Sequence, residues 1–283
     1  MIRILSDSTC DLTEALLKRY NVDVVPLQIL LGDKNYEDGC GITPKDIFRW
    51  SDENKATPKT AAARQERVAE ILNRSLQGDD EAICFAISES MSCTAGVMRM
   101  AAEEIGAADR VSVIDSANLS TGVGLLVLEA AEMAQQGMAR KEIVERIEAL
   151  KPRVRASFVV DTLTYLHRGG RCSGLAAMLG GTLRLHPLIS VTDGKMEPGK
   201  KYRGRMERVI ANYVDDLMPG LQHAMKKRVF VTHSGCSEKS VALAREKVEA
   251  LGCFDEVLTS EAGCVISSHC GPGTLGVLYI DQE

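Results

Sequence analysis

Four hydroxyls crowd into seven residues at Ser88-Glu89-Ser90-Met91-Ser92-Cys93-Thr94, a run with the side chains to hold an oxyanion. The apolar segment before it, Ala82–Ile87, reads as a strand of a parallel sheet covered on both faces. Behind it Val97, Met98, Ala101 and Ile105 recur at helical spacing. Such a loop ends at a helix N-terminus, where free backbone N–H groups and the positive dipole end favour a phosphate or carboxylate, and hydroxyls add donors. The simpler alternative is that Ser92 or Thr94 only caps the helix. Two histidines stand out as well. His233 lies in Thr-His-Ser-Gly at the end of an expected strand, and His269 precedes Gly271-Pro272-Gly273, a turn that fixes its loop and lets backbone approach a ligand closely. Cys93 and Cys270 adjoin these segments, and a helix N-terminus could lower the Cys93 thiol toward a nucleophile.

Other chemistries fail on context. Gly271 to Gly276 matches G-x-G-x-x-G, yet only seven residues follow it and they read as a strand, not the helix and acidic residue of a dinucleotide site. There is no Walker A loop, no G-x-S-x-G elbow and no H-E-x-x-H. The nine cysteines include no C-x-x-C pair, so most are expected to be small, reduced core residues, and neither a metal nor a cofactor is called for. A net charge of −5 and 4% aromatic residues argue against nucleic-acid binding. The chain starts directly in a strand-like segment, and its longest apolar runs, Val22–Leu31 and Val123–Ala131, are too short for a bilayer. A cytoplasmic protein without integral membrane association is expected.

The elements that must position these residues alternate in the first half, as in β-α-β units. Strands are expected at Ile2–Leu5, Asp23–Leu31, Ala82–Ile87 and Arg110–Ile114. Helices are expected from an Asp11–Glu14 capping box to Tyr20, after Thr43-Pro44, after Thr60 with Val68, Ile71, Leu72 and Leu76 on one face, and near 119–136 and 140–151. The second half mixes a strand at Ala156–Val160, a short helix ending at Gly169-Gly170 and a helix within Gly174–Leu183. A hairpin follows, turning at Asp193-Gly194, then a helix around 205–217, a strand Arg228–Thr232, a helix Glu238–Leu251, and strands near 256–260 and 275–280. The fold class is α/β with two domains, a parallel-sheet domain over 1–153 and a mixed-sheet α+β domain over 154–283, with the ligand site at their junction. Basic residues recur after the boundary, at Arg168, Arg171, Lys200, Lys201, Arg203, Arg205 and Lys226–Arg228, as a solvated surface or a docking patch.

The chain resembles the DegV family. The resemblance rests on Ser6-Asp7-Ser8-Thr9-Cys10-Asp11-Leu12, Lys59-Thr60, Ser90–Thr94, Ile114-Asp115-Ser116, Leu166–Arg171, Asp193-Gly194-Lys195, Arg203-Gly204 and His269–Gly273, each weak alone but in order over essentially the whole chain. It implies a long-chain fatty acid held between two domains, the tail in an apolar tunnel. It further implies a carrier subunit without autonomous catalysis, whose bound carboxylate a separate kinase subunit phosphorylates with ATP, leaving room for transient membrane contact. Thr60, Ser92 and His269 are the carboxylate ligands it implies, with Arg171 and Arg203 near the head group or partner face. The chain departs from the pattern at Ala61-Ala62-Ala63, at Cys93 where glycine is usual, and at Cys270 after the histidine.

Physical chemistry agrees with that ligand class. A carboxylate needs converging hydrogen-bond donors, and an acyl chain needs only an apolar cavity, gaining about 0.8 kcal/mol per buried CH₂. Two other readings remain open from the residues: a serine or cysteine hydrolase using Ser92 or Cys93 with His269, and a module for another small anion.

Overall fold

The computed structural model describes residues 1–172 and 185–282. Strand β1 (Ile2–Asp7) is central to a four-stranded parallel sheet with β2 (Val22–Val25), β6 (Glu81–Ala86) and β7 (Val111–Asp115), in the order β2-β1-β6-β7. Helices α1 (Glu14–Tyr20), α3 (Gln65–Ser75), α4 (Thr94–Glu104), α5 (Thr121–Gln135) and α6 (Arg140–Leu150) accompany this sheet. The second sheet is six-stranded and mixed, β10-β9-β8-β13-β11-β12, from β8 (Val154–Val159), β9 (Leu185–Thr192), β10 (Lys195–Arg203), β11 (Arg228–Ser234), β12 (Glu256–Glu261) and β13 (Thr274–Ile280). Helices α7 (Thr164–Gly169), α8 (Met206–Gln222), α9 (Glu238–Glu249) and α10 (Cys264–Cys270) belong to that half of the chain. The fold is therefore α/β, with a parallel-sheet domain and a mixed-sheet domain.

Helix α5 explains the apolar run that is too short for a membrane. Thr121 to Ala131 are all buried, and its hydrophobic cluster takes in Ile83 and Phe85 of β6 together with Phe230 of β11 and Leu278 of β13. A helix apolar on every face must be covered on every face, and here the two sheets cover it.

Three expectations change. The segment Asp23–Leu31 is two strands, because Pro26 has no N–H to continue the ladder. Beyond it β3 (Gln28–Leu31) joins β4 (Lys34–Glu37) and β5 (Lys59–Ala61) in a small antiparallel sheet, order β4-β3-β5. Asp11 does not cap α1. Thr13 does, accepting from Leu16 N, while Asp11 takes a left-handed conformation and sends its carboxylate elsewhere. His269 is not in a loop but in the last turn of α10, before Gly271. The helix expected within Gly174–Leu183 lies outside the described residues. The Thr43 capping box on α2 (Pro44–Asn54) and the Asp193-Gly194 turn, with φ of 47° and 74°, form as their residues dictate.

Candidate functional site

The hydroxyl loop leaves β6 at the carboxyl end of the parallel sheet, where ligands of open α/β sheets bind. Ser88 O accepts from both Met91 N and Ser92 N, which folds the loop into a turn. Ser88 Oγ donates to Gly194 O at 2.7 Å, so the tip of the β9–β10 hairpin is fastened to this loop. Ser92 Oγ accepts from Thr94 N at 3.3 Å and lies 2.9 Å from Thr94 Oγ1. Cys93, exposed, is the N-cap of α4 and gives no side-chain cap bond.

Thr60 comes from β5, where it pairs with Ile29 of β3. Its Oγ1 is 2.8 Å from His269 Nε2, a contact between residues 209 apart in sequence. Burial, with the Arg171 guanidinium nearby, lowers the His269 imidazole to about 4, so the ring is neutral at physiological pH. Its Nδ1 is buried without a hydrogen-bond partner. Buried N–H groups are rarely left orphaned, which favours the tautomer with its proton on Nε2. In that tautomer Nε2–H donates to Thr60 Oγ1, and the threonine's own proton is free to point at a ligand oxygen.

Thr60, Ser92, His269 and Arg171 all line one cavity of about 250 Å³. Leu27, Ile87, Met91, Leu119, Met196 and Ile266 make most of the remaining wall, along with Cys93 and Cys270. Arg203 does not line it; it ends β10 on the surface, beside a shallow depression shared with Lys200, Lys201, Asp215 and Asp216. His233 borders a separate void of about 20 Å³ that meets the same Leu119, Ile266 and Cys270 partition from behind.

Among the described residues Ser92 and His269 share no hydrogen bond. His269 reaches Thr60 and not Ser92, and no carboxylate among the described residues holds its Nδ1. The Cys270 thiol is buried and pushed up to about 12 by desolvation, unfit to act as a nucleophile. Among the described residues no His, Cys, Asp and Glu group could hold a metal ion, and no helix is long and apolar enough to cross a membrane.

The sequence reading missed the apolar wall, whose residues come from separate segments and carry no local signal. It also missed a buried carboxylate group, Asp7, Asp11 and Asp38, which are 0%, 6% and 6% exposed. Burial raises all three, Asp7 to about 6, and Asp7 accepts from Ile87 N and Thr9 N beside the hydroxyl loop. The dense polar stretch Ser6–Asp11 directly after an apolar strand was the available signal.

The chain is similar to known proteins over nearly its whole length. Residues 1–282 match the family model described as "Uncharacterised protein, DegV family". A DegV domain-containing protein of Deinococcus radiodurans is 33% identical over 277 residues, covering 98% of this chain and 97% of its own. A DegV family protein from Thermus thermophilus, solved for its fatty acid binding, is 34% identical with a TM-score of 0.90 and 99% of each chain covered. A stearic acid-binding protein from Eubacterium ventriosum is 26% identical with a TM-score of 0.84, covering 100% of this chain and 99% of its own.

Proposed function

As the chain belongs to the DegV family, we propose that it binds one long-chain fatty acid, its carboxylate at Thr60, Ser92 and His269 and its tail in the apolar part of the cavity. The observation that carries this reading is the make-up of one cavity: Thr60, Ser92, His269 and Arg171 share its wall with methionine, leucine and isoleucine side chains. A neutral His269 spends its one N–H on Thr60, so its part is to turn the Thr60 hydroxyl toward the anion, which is met by hydroxyl donors and the Arg171 guanidinium, charge-assisted contacts of the stronger kind. Each buried CH₂ adds about 0.8 kcal/mol, so a long chain supplies most of the affinity and the head group sets orientation.

The bound acid is presented to a separate kinase. A carboxylate oxygen attacks the γ-phosphorus of ATP on that partner, the bond to the β-phosphate oxygen breaks, and acyl phosphate and ADP result. The family resemblance supports this step, and the exposed Arg203 on β10 belongs to the partner face. The carrier itself needs no catalytic group and no cofactor beyond its ligand.

Organic extraction of the purified protein followed by mass spectrometry tests the ligand. The expected result is about one fatty acid per chain, in material from cells or after incubation with palmitate or oleate. Finding none under either condition overturns the reading.

A further inference from the structure

Helix α10 follows β12 of the mixed sheet but packs into the other domain. Cys264 and Val265 lie in the hydrophobic cluster of Ile29, Ile47 and Leu72, and Cys264 Sγ donates to Ile42 O at 3.5 Å. Two carboxylates of the parallel-sheet domain receive its first backbone donors. Gly263 N donates to Asp11 Oδ1 at 2.8 Å, and Cys264 N donates to Asp38 Oδ1 at 2.9 Å.

The second oxygen of each carboxylate is fixed by a serine of its own domain. Ser120 Oγ donates to Asp11 Oδ2, and Ser8 Oγ donates to Asp38 Oδ2 at 2.8 Å while accepting from Leu27 N. Ser260 Oγ donates to Asp11 O, adding a third tie across the same seam. Among the described residues neither carboxylate forms an ion pair, although both are buried. Buried carboxylates are costly unless hydrogen-bonded, and here the compensating donors are Ser8, Ser120 and, across the seam, the backbone N–H groups at the start of α10. A Cβ at Gly263 would sit 3.2 Å from Asp11 Oδ1 and 3.3 Å from Asp38 Oδ2, so the two acids close on the helix start from both sides. Five residues beyond Cys264 comes His269, with Ile266 and Cys270 also on the cavity wall.

We propose that Asp11 and Asp38 are positioning residues of the head-group site: reaching across the domain seam, they hold the first turn of α10 and thereby set His269 against Thr60. Site assembly and domain docking are then one event. The idea rests on the fatty-acid reading for its affinity readout, but its geometric readout does not require a lipid.

The test measures two quantities in Asp38→Ala, Asp38→Asn and Gly263→Ala: affinity for palmitate, and the titration of His269 followed by NMR of ¹⁵N-labelled imidazole. In Asp38→Ala the affinity is expected to fall about tenfold, the worth of one misaligned charge-assisted hydrogen bond. The His269 titration should also move from about 4 toward its ordinary 6.5 as the ring leaves its dry contact with Thr60. Asp38→Asn keeps an acceptor for Cys264 N, and its amide can donate to Ser8 Oγ, so both readouts should return toward the wild type. Gly263→Ala crowds both acids and should shift both readouts in the direction of Asp38→Ala, deciding the matter if that variant does not fold. An unchanged affinity and an unchanged titration in a folded Asp38→Ala or in Gly263→Ala overturns the proposal, as does failure of Asp38→Asn to restore them. Wild-type protein that binds no palmitate overturns the fatty-acid reading instead, while the titration still decides the clamp.

Discussion

Ser92 and Cys93 divide the work that the hydroxyl run suggests. Ser92 Oγ bonds the first turn of α4 and still faces the cavity, whereas Cys93, standing where the resemblance expects glycine, exposes a thiol beside it. Of the nine cysteines only Cys40 and Cys93 are exposed, and Cys93 alone of the two lines the cavity. Iodoacetamide should therefore alkylate both first, and saturation with palmitate should slow Cys93 severalfold while leaving Cys40 unchanged. Peptide mass spectrometry over a time course reads the two rates; equal Cys93 rates with and without palmitate would place the ligand elsewhere. Ser92 was legible because hydroxyls at a strand-to-helix junction have a local meaning. Thr60 was not, since a threonine in a three-residue strand says nothing by itself and is visible only through the resemblance.

At the scale of elements, the site depends on α7 meeting α10. A Cβ on Gly169, at the end of α7, would lie 2.4 Å from His269 Nδ1, so glycine at this position lets the helix end seat against the imidazole. Alanine is the better helix former by up to about 1 kcal/mol, and the φ at Gly169 is not of the left-handed kind. Gly169→Ala is thus expected to push His269 off Thr60 and weaken palmitate binding about tenfold, the helix gain offsetting only part of the overpacking so that the thermal midpoint falls modestly. Calorimetric unfolding and a lipid-binding titration on one preparation separate the effects; loss of stability with intact binding would contradict the contact. Elements with caps, turns and long apolar periods, such as α2 and the β9–β10 hairpin, could be placed from residue types alone. The β4-β3-β5 sheet could not, because Lys34–Glu37 and Lys59–Ala61 are short and polar and become strands only by pairing with β3.

Across the whole molecule, a buried ion network ties the two domains together away from the cavity wall. Arg228 of β11, with a side chain 2% exposed, donates to Glu129 Oε1 at 3.0 Å and to Glu132 Oε1 on α5, while Lys227 reaches the second oxygens of both acids. Tyr20 Oη donates to Glu132 at 3.0 Å, and Arg19 pairs with Glu256 at 2.8 Å. Removing one charge leaves its partners buried and uncompensated, so Arg228→Ala should cost about 3–5 kcal/mol in denaturant unfolding. The double change Arg228→Met with Glu129→Leu removes both charges, so it should cost well under half as much; equal losses would show that packing, not charge, governs the seam. By itself the sequence determined the α/β class, the main strands and helices, the hydroxyl loop and the ligand class implied by resemblance, because periodicity, caps and turns are local properties. Only the tertiary structure decided that Thr60 and His269 touch, that Arg171 and not Arg203 joins them at the cavity, and that Asp11 and Asp38 grip α10. The hydroxyl run offers donors wherever it is placed, but the three-dimensional packing of residues hundreds of positions apart is what brings Ser92, Thr60 and His269 onto the wall of one largely apolar cavity.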